Sequence, residues 1–258
     1  MDFLIGDIGN TNTKICLIDL KTFKIKKTIF FNSLNINSHN FLKKKLIKII
    51  IKKNIHKIAL FSSVVPKYKL ILRSFLKKFY KIKFIEIKDK NIKKIIKIKI
   101  ANKKQVGSDR IANAVGVYQR YKCDCIVLDF GTATTFDVIT KNGDYIGGII
   151  APGVLLSLKS LINTADQIPA FSIKKEKKII GKNTVQALRS GFYWGYIGLI
   201  NNIILKIEKE TKRKYKIIFT GGYAGVFKTS IIRTFKVDRN ITIKGIIEIF
   251  KKNIKYLD

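Results

Sequence analysis

The chain has 258 residues and is 47% hydrophobic, which allows one large domain or two of about 120 residues each. Its formal net charge of +35 invites a nucleic-acid or anionic-membrane function. However, only seven of the 52 basic residues are arginine, the side chain preferred for phosphate forks and base edges. The composition therefore predicts solvated lysine faces and no specific nucleic-acid partner.

The three cysteines, Cys16, Cys123 and Cys125, predict a reducing, cytoplasmic environment, because their number is odd and no secretory features accompany them. Core packing is favoured over a zinc site, since Cys123 and Cys125 have no second pair and no histidine nearby. The sequence has no run of about 18 uncharged apolar residues, so no membrane association is expected.

Apolar periodicity predicts an α/β chain in which the second half repeats the order of the first. In the first half we expect strands at 3–8, 14–20, 24–31, 57–62 and 83–87, with helices at 41–53 and 68–79. A helix at 108–121 follows, and residues 88–104 fit either a helix or a strand. In the second half we expect a hairpin from Cys125 onward, strands at 145–150 and 217–219, and helices at 154–163, 184–207 and 229–235. The repetition predicts two duplicated domains, residues 1–115 and 116–258.

Two hairpins with an acid, a glycine and small polar residues in the turn occupy equivalent places in the two halves. They are Asp7-Ile8-Gly9-Asn10-Thr11-Asn12-Thr13-Lys14 and Asp129-Phe130-Gly131-Thr132-Ala133-Thr134-Thr135. A carboxylate can hold a hydrated metal ion, and a glycine permits the positive φ that turns backbone N–H groups toward an anion. One such turn is common, but two in register predict an enzyme that grips the phosphates of ATP from both sides.

Two further segments extend the candidate site. The turn Thr220-Gly221-Gly222-Tyr223-Ala224 follows a predicted strand, and its glycines would let the backbone approach a nucleoside. Asp109 and Arg110 stand at the start of the predicted helix 108–121. Asp109 is either a capping carboxylate or a base for an attacking hydroxyl. Arg110 is either a surface charge or the group that binds an acidic substrate.

The chain resembles the type III pantothenate kinase family, which belongs to the acetate-kinase, sugar-kinase and actin superfamily. The matching segments span nearly the whole length and are Asp7–Lys14, Ser62–Pro66, Gly107–Ala114, Asp129–Asp137, Gly147–Gly153, Gly181–Thr184 and Thr220–Ala224. The resemblance implies two ribonuclease-H-like (actin-like) α/β domains with mixed sheets and a nucleotide cleft between them. It also implies ATP-dependent phosphorylation of pantothenate, the first step of coenzyme A biosynthesis.

The resemblance further implies a role for each matched residue. Asp109 would be the catalytic proton acceptor. The ATP-binding residues would be Asp7, Ile8, Gly9, Asn10, Thr11, Asn12, Thr13, Lys14 and Thr132. Pantothenate would be held by Gly107, Ser108, Asp109, Arg110 and Thr184. Asp7 would face Mg²⁺ through water, Asp129 would bind a monovalent cation (K⁺ or NH₄⁺), and the enzyme would be a homodimer.

Two departures from the family pattern concern residues near the substrate. Ile100 and Lys103 stand where the family usually has a tyrosine and a proline, although Asn102 is kept, and Arg189 replaces a common glutamine. The loss of the tyrosine predicts weaker binding of pantothenate. Two other functions stay open: a kinase of the same superfamily with another hydroxyl substrate, and a nucleotide-dependent regulator or nucleic-acid-binding protein. ATP consumption that depends on pantothenate would separate them from the leading interpretation.

Overall fold

The computed structural model describes residues 1–50, 55–89, 95–164, 168–227 and 234–254. The chain divides into two compact units. Unit 1 comprises Met1–Tyr121, Gly143–Tyr145 and Asn240–Asp258, and unit 2 comprises Lys122–Asn142 and Ile146–Arg239. The predicted boundary after residue 115, which separates the two halves of the sequence repeat, stays a prediction. Each compact unit is made of more than one segment of the chain.

Unit 1 contains a five-stranded mixed sheet. Its strands are β1 (Asp2–Ile8), β2 (Asn12–Asp19), β3 (Ile25–Asn32), β4 (Ile55–Ser63) and β5 (Lys83–Glu86). They lie in the order β3-β2-β1-β4-β5. The pairs β1–β2 and β2–β3 are antiparallel, while β4 runs parallel to both β1 and β5. A short sixth strand, β6 (Lys97–Ile98), pairs with Asp144 and Tyr145.

Three helices of unit 1 follow from local signals in the first half of the chain. They are α1 (His39–Ile47), α2 (Pro66–Tyr80) and α3 (Ser108–Tyr121). Ser38 caps α1 by accepting the Phe41 N–H at 3.2 Å. Proline begins α2, as is common at the first helical position. The predicted helix 41–53 is too long, because the chain turns after Ile47, and residues 51–53 lie outside the described residues.

The sheet of the second half repeats the strand order of the first. Its strands are β7 (Cys125–Phe130), β8 (Ala133–Ile139), β9 (Asp144–Pro152), β10 (Lys216–Gly221) and β11 (Phe235–Val237). The full order is β11-β10-β7-β8-β9-β6. The series β9-β8-β7-β10-β11 therefore matches β3-β2-β1-β4-β5, with β7 antiparallel to β8 and parallel to β10. This confirms the predicted duplication.

Two helices, α4 (Val154–Thr164) and α5 (Thr184–Thr211), belong to unit 2, and both were predicted. The final helix, α6 (Ile241–Asn253), belongs to unit 1 and was not predicted. It packs against α3 and β1, where Phe250 stacks on Phe3 with ring centroids 3.9 Å apart. No helix among the described residues is both long enough and apolar enough to cross a bilayer.

The predicted helix 229–235 is wrong where it can be compared with the structure. Residues 229–233 lie outside the described residues, and Phe235 begins strand β11. This strand pairs in parallel with β10, with Phe235 opposite Ile217. Residues 88–104, which fitted either a helix or a strand, contain the short strand β6 and the start of a 3-10 turn at Lys103–Gln105. Residues 90–94 lie outside the described residues.

Candidate active site

The hairpin between β1 and β2 presents a polar tip at the end of β1. Asp7 is half-buried and lies in register between Lys14 on β2 and Ser62 on β4. The Gly9 N–H donates to Asn12 O at 3.0 Å and closes the turn, whose tip is exposed. The turn therefore offers exposed amide and hydroxyl groups beside one carboxylate and one lysine.

Ser33 supports this hairpin, and sequence reasoning missed it. Its Oγ donates to Gly9 O at 2.7 Å and its N–H donates to Thr11 O at 2.8 Å. The Thr13 and Ser33 hydroxyl oxygens are 2.8 Å apart, and both residues are fully buried. The Thr13 hydroxyl is therefore used to support the turn. No local signal marks Ser33, because its contacts depend on how β3 and the residues after it return to the first turn.

The expected positive φ is wrong for both hairpin glycines. Neither Gly9 nor Gly131 lies in the left-handed region. Close approach explains Gly9, because a Cβ there would lie 3.0 Å from Asn12 O. At Gly131 an added Cβ would make only ordinary contacts, the nearest at 3.5 Å from Ala133 O, and nothing in the structure explains the glycine. Only in the third turn does a glycine need a left-handed backbone, where Gly221 has a φ of 86°.

Lys14 is held by the N-terminal end of the unpredicted helix α6. Its Nζ donates to Asn240 Oδ1 at 3.0 Å. Asn240 directly precedes α6, so this helix fixes an ammonium group at the base of the first hairpin. The sequence predicted the lysine but not the residue that orients it.

Ser108 fixes the start of α3 to the end of β4. Its Oγ accepts the Ser63 N–H and donates to Ser63 O, both at 2.8 Å, and it accepts the Ser62 hydroxyl at 3.2 Å. Since Ser108 is buried, its side chain positions the neighbouring Asp109. Ser62 also lies in register with Asp7, so one strand end supports both acids.

Burial raises the pKa of Asp109, although other groups oppose this effect. The Arg110 backbone N–H donates to Asp109 Oδ1 at 2.8 Å, and the charges of Arg110 and Lys88 also favour the ionised form. A Cβ at Gly107 would lie 2.5 Å from Asp109 Oδ1, which explains the glycine there. A half-buried carboxylate with a raised pKa beside a guanidinium suits a base next to an anion-binding group.

The Arg110 guanidinium lies over the ring of Tyr145, 5.9 Å from its centroid. Sequence reasoning missed Tyr145, which comes from β9 and is buried. The family's usual tyrosine is replaced by the half-buried Ile100, and Lys103 is exposed in a 3-10 turn capped by Asn102. An aromatic side chain thus contacts Arg110 from a segment that the sequence did not connect with it.

The hairpin of unit 2 repeats the arrangement around Asp7. Asp129 is half-buried and lies in register between Thr135 on β8 and Thr220 on β10. In both units, the acid at the end of the central strand therefore has a hydroxyl residue beside it on the neighbouring parallel strand. The duplication extends from the strand order to the chemistry of the candidate site.

Two glycines pack closely around the second hairpin. A Cβ at Gly221 would lie 2.6 Å from Asp129 Oδ1, and one at Gly153 would lie 2.1 Å from Thr132 O. The Gly222 N–H donates to Phe130 O at 3.1 Å. The structure thus brings together, within unit 2, three glycine-containing segments that the sequence analysis had singled out separately.

Thr184 lies on a different part of unit 2, at the first position of α5. Asn183 caps this helix by accepting the Gln186 N–H at 2.9 Å, and Thr184 is exposed. It lines a mostly apolar groove of about 650 Å³ along α4 and α5, together with Ser157 and Tyr196. The exposed position makes its hydroxyl accessible to a small ligand.

Asp7 and Asp129 both fit cations that are bound by oxygen ligands. Among the residues that the structure describes, no three His, Cys, Asp or Glu side chains cluster as a metal site. Mg²⁺ commonly uses one or two carboxylates together with substrate phosphates and water, which the single carboxylate of Asp7 fits. Asp129 lies in register with Thr220, so a carboxylate and a hydroxyl residue, both oxygen donors, stand on neighbouring strands.

The fold places the chain in the class of actin-like α/β proteins. The structure of Lmo2764 from Listeria monocytogenes, described as an N-acetylmannosamine kinase, has a TM-score of 0.54 at 13% identity and covers 98% of this chain and 100% of its own. A structure from Campylobacter jejuni, described as a Baf family transcriptional activator, has a TM-score of 0.59 at 19% identity, covering 98% and 99%. Such low identities establish the fold alone.

Sequence comparison gives the family. The family model described as type III pantothenate kinase matches residues 3–206. A type III pantothenate kinase from Pelagibacter ubique is 52% identical over 245 residues, covering 95% of this chain and 96% of the relative. Another, from Syntrophus aciditrophicus, is 36% identical over 256 residues, covering 97% and 99%. The chain belongs to the type III pantothenate kinase family.

Proposed function

We propose that this chain transfers the γ-phosphoryl group of ATP to the hydroxyl of pantothenate, giving 4'-phosphopantothenate in coenzyme A biosynthesis. The observation that carries the proposal is the start of α3. There Ser108 is hydrogen-bonded to the end of β4, and it is followed directly by the half-buried Asp109 and by Arg110. Membership in the type III pantothenate kinase family, over residues 3–206, supports the substrate.

In the proposed reaction, Asp109 orients the attacking hydroxyl and accepts its proton. Phosphoryl transfer has a loose transition state, so positioning and charge stabilisation contribute more than covalent chemistry. Burial raises the pKa of Asp109, which makes it a stronger proton acceptor once ionised. The proton passes from the substrate hydroxyl to an Asp109 carboxylate oxygen as the new oxygen–phosphorus bond forms, while the bond between the γ-phosphorus and the bridging oxygen breaks and ADP leaves with that oxygen.

The first hairpin is the proposed site for the phosphates of ATP. Backbone N–H groups and polar side chains in the turn after Asp7 can bind an anion, and these side chains are small enough to leave room for it. Lys14, oriented by Asn240 at 3.0 Å, adds a positive charge. Mg²⁺, held through water by Asp7, would neutralise charge that develops on the phosphate oxygens.

In unit 2, we assign Asp129 to a monovalent cation and Thr132 to the nucleotide. Gly221 and Gly153 support this assignment, because without a Cβ they pack directly against the Asp129 side chain and the backbone of Thr132 and so fix the turn. Thr184, exposed at the start of α5, is assigned to pantothenate. Stimulation by K⁺ or NH₄⁺ that survives in an Asp129→Ala variant would remove the role of Asp129.

A homodimer in the cytoplasm completes the proposal. Its support in the structure is the exposed apolar surface of unit 2, which includes Leu156 and Ile180, exposed by 51% and 72%. Light scattering coupled to size exclusion would measure the mass in solution. A single protomer of 29.5 kDa across the working concentration range would contradict the dimer.

The proposed function is tested by ATP consumption in the presence of a panel of small hydroxy acids. We expect turnover with pantothenate that exceeds turnover with every other member, and a product with one added phosphate by mass spectrometry. Turnover with a different hydroxyl compound and none with pantothenate would point to a kinase of the same fold with another substrate. No consumption of ATP with any of them would overturn the kinase assignment.

A further inference from the structure

Cys123 and Cys125 form a pair of thiols that the proposed reaction does not use. All three cysteines of the chain are free, and Cys16 and Cys125 are buried, as core packing predicts. Cys123 is only half-buried, and its Sγ lies 3.8 Å from Sγ of Cys125. A thiol that is accessible from the surface therefore contacts a thiol that is not.

The start of strand β7 explains why the two side chains meet. Successive side chains of a strand point to opposite faces, so residues two positions apart share a face. Cys125 is the first residue of β7, and Cys123 lies in the bend just before it. The spacing of two residues therefore places both thiols on one side of the backbone.

The backbone holds the two thiols with different firmness. Cys125 is fixed within the sheet, opposite Ile139 on β8 and Lys216 on β10. Cys123 precedes the strand and follows Lys122, whose φ of 50° lies in the left-handed region. A disulfide bond is about 2.0 Å long, so the two sulfur atoms, now 3.8 Å apart, have to approach by about 1.8 Å. Cys123 is the residue that can make this movement.

Asp124 fixes the residue between the two cysteines. Its backbone oxygen accepts the Lys216 N–H at 2.9 Å, and its Oδ1 accepts the Lys141 N–H at 2.7 Å. A bond between Cys123 and Cys125 would therefore close a small ring on a fixed backbone. Strained or exposed disulfides are the ones that thiols reduce readily, so this bond would be easily reversed.

We propose that Cys123 and Cys125 are a modification site, a dithiol that low-molecular-weight disulfides convert reversibly into an intrachain disulfide. The site is independent of the proposed phosphoryl transfer, because neither thiol is assigned to a substrate. Disulfides in a reducing compartment are typically transient and redox-sensing, and a strained bond in a small ring fits that kind of disulfide.

The exchange takes place in two steps. The Cys123 thiol loses its proton, and the thiolate attacks one sulfur of the small disulfide, which leaves a mixed disulfide on Cys123 and releases one small thiolate. The Cys125 thiol then loses its proton and attacks Sγ of Cys123, which releases the second small thiolate. Two protein thiols are thereby oxidised, and one small disulfide is reduced to two thiols that take up the two protons.

The surroundings of Cys125 favour this order of steps. Burial raises the pKa of the Cys125 thiol most, and the charge of Cys123 and the hydrogen bond with it raise this pKa further. The Lys216 charge lowers the pKa, whereas the Asp124 charge adds to the increase. The Cys123 sulfur carries no charge in the mixed disulfide, so its contribution disappears and Cys125 becomes easier to ionise. Cys125 therefore reacts after Cys123 and not before it.

A tryptic digest identifies the product directly. Trypsin cleaves after Lys122 and Lys141, so the peptide 123–141 contains both cysteines, while Cys16 lies in the peptide 15–21. The folded chain is incubated with 2-hydroxyethyl disulfide, and the remaining thiols are then blocked with N-ethylmaleimide as the chain is unfolded. We expect the peptide 123–141 to lose two hydrogens and to take up no maleimide, whereas the peptide 15–21 takes up one. Treatment with 2-mercaptoethanol before the block should restore two maleimide sites in the peptide 123–141.

Two variants separate the two steps. Cys125→Ala should stop at the mixed disulfide, with one hydroxyethylthio group on Cys123. Cys123→Ala should react about 100-fold more slowly than the wild type or slower still, because the fully buried Cys125 is reached only after local opening. Cys16→Ala is the matched control, since it removes a buried thiol outside the pair and should form the disulfide at the wild-type rate.

The proposal is overturned if the peptide 123–141 of the wild type keeps both thiols, if its reaction stops at the mixed disulfide, or if the product is a disulfide between two chains. Reaction of Cys123→Ala at the wild-type rate would also overturn it. The digest of the wild type needs no substitution, so it decides the proposal even where a variant does not fold.

Discussion

At the scale of single residues, Asp109 combines a functional position with a cost in stability. Burial raises its pKa, so the ionised form needed at neutral pH is disfavoured in the folded chain. Because the folded-state pKa lies above the unfolded one, this destabilisation develops as pH rises between the two values and is absent below both. The carboxylate is therefore expected to be more important for turnover than for folding.

We predict that Asp109→Asn loses kcat by about 10²–10⁴-fold, the usual range for removal of a general base. Its free energy of unfolding at neutral pH should equal or exceed that of the wild type, since asparagine carries no buried charge and can still accept the Arg110 N–H. Steady-state kinetics and urea unfolding measure both quantities. Near-normal kcat would remove Asp109 from the catalytic role.

The pH dependence of kcat/KM should report the same carboxyl group. Asp109 works as a base only when ionised, and its pKa is raised, so activity should fall on acidification with a midpoint above the value of about 3.9 for an ordinary aspartate. Lys88→Met removes a charge that lowers this pKa and should move the midpoint to higher pH. A midpoint at or below the ordinary value would contradict this assignment.

Arg110 should hold the carboxylate of pantothenate. A guanidinium forms two parallel hydrogen bonds with a carboxylate, and lysine keeps the charge but not this geometry. Arg110→Lys should raise the KM for pantothenate much more than the KM for ATP. Pantetheine, which lacks the carboxylate, serves as the control substrate and should lose little. Equal weakening of ATP and pantothenate would show a structural role or a role toward the nucleotide phosphates.

Residue types could be predicted at the candidate site, but their partners could not. The acids Asp7, Asp109 and Asp129 follow from motif and duplication alone. Ser33 and Tyr145 do not, because their contacts depend on strand register and on chain segments that are distant in sequence. The positive φ expected at Gly9 and Gly131 was wrong, since local sequence does not distinguish a positive φ from a close approach, which is what Gly9 has.

At the scale of elements, the crossing of α3 and α6 depends on two glycines. A Cβ at Gly245 would lie 1.8 Å from Ala112 O, and one at Gly116 would lie 2.5 Å from Ile241 O. These backbones are therefore in direct contact, with no room for a methyl group. Since α3 begins with Ser108 and Asp109, the glycine crossing supports the helix that carries the proposed base.

Gly245→Ala should destabilise the chain by about 1–3 kcal/mol or more, the cost of overpacking a well-packed contact. The control is Gly198→Ala in α5, where nothing lies within 4 Å of the added Cβ. There the substitution should stabilise the helix by about 0.5–1 kcal/mol, because alanine loses less conformational freedom than glycine. Urea unfolding of both variants measures the difference, and equal stabilities would show that the helices separate without cost.

Elements whose apolar residues recur with a clear helical or strand periodicity were predicted well, and elements that depend on tertiary contacts were not. Helix 108–121 was predicted with the bounds that the structure has, Ser108–Tyr121. Strand β11 has only three residues and pairs with β10, so its local sequence carries little information. The missed helix α6 contains Gly245, which disfavours an isolated helix and is required by the contact with α3.

At the scale of the whole molecule, the net charge of +35 should give only weak, salt-sensitive binding to polyanions. Binding that rests on lysine–phosphate contacts releases counterions and weakens by about 10³–10⁵-fold between about 50 and 200 mM salt. We therefore expect no sequence preference and negligible DNA binding at physiological salt. A footprint at a defined DNA site in about 200 mM salt would revive the regulator interpretation.

The division of unit 1 into distant segments has a consequence for the order in which the chain becomes active during synthesis. Helix α6 leaves the ribosome after every other described element, yet α3 packs against it through Gly116 and Gly245. Domains generally fold as their residues emerge, so unit 2 can form its core before α6 is made. A nascent chain that has reached residue 239 would then carry Asp109 on a helix that lacks its packing partner, and Lys14 without Asn240. The chain could therefore become active only after α6 has been made, well after the residues proposed for catalysis have been translated.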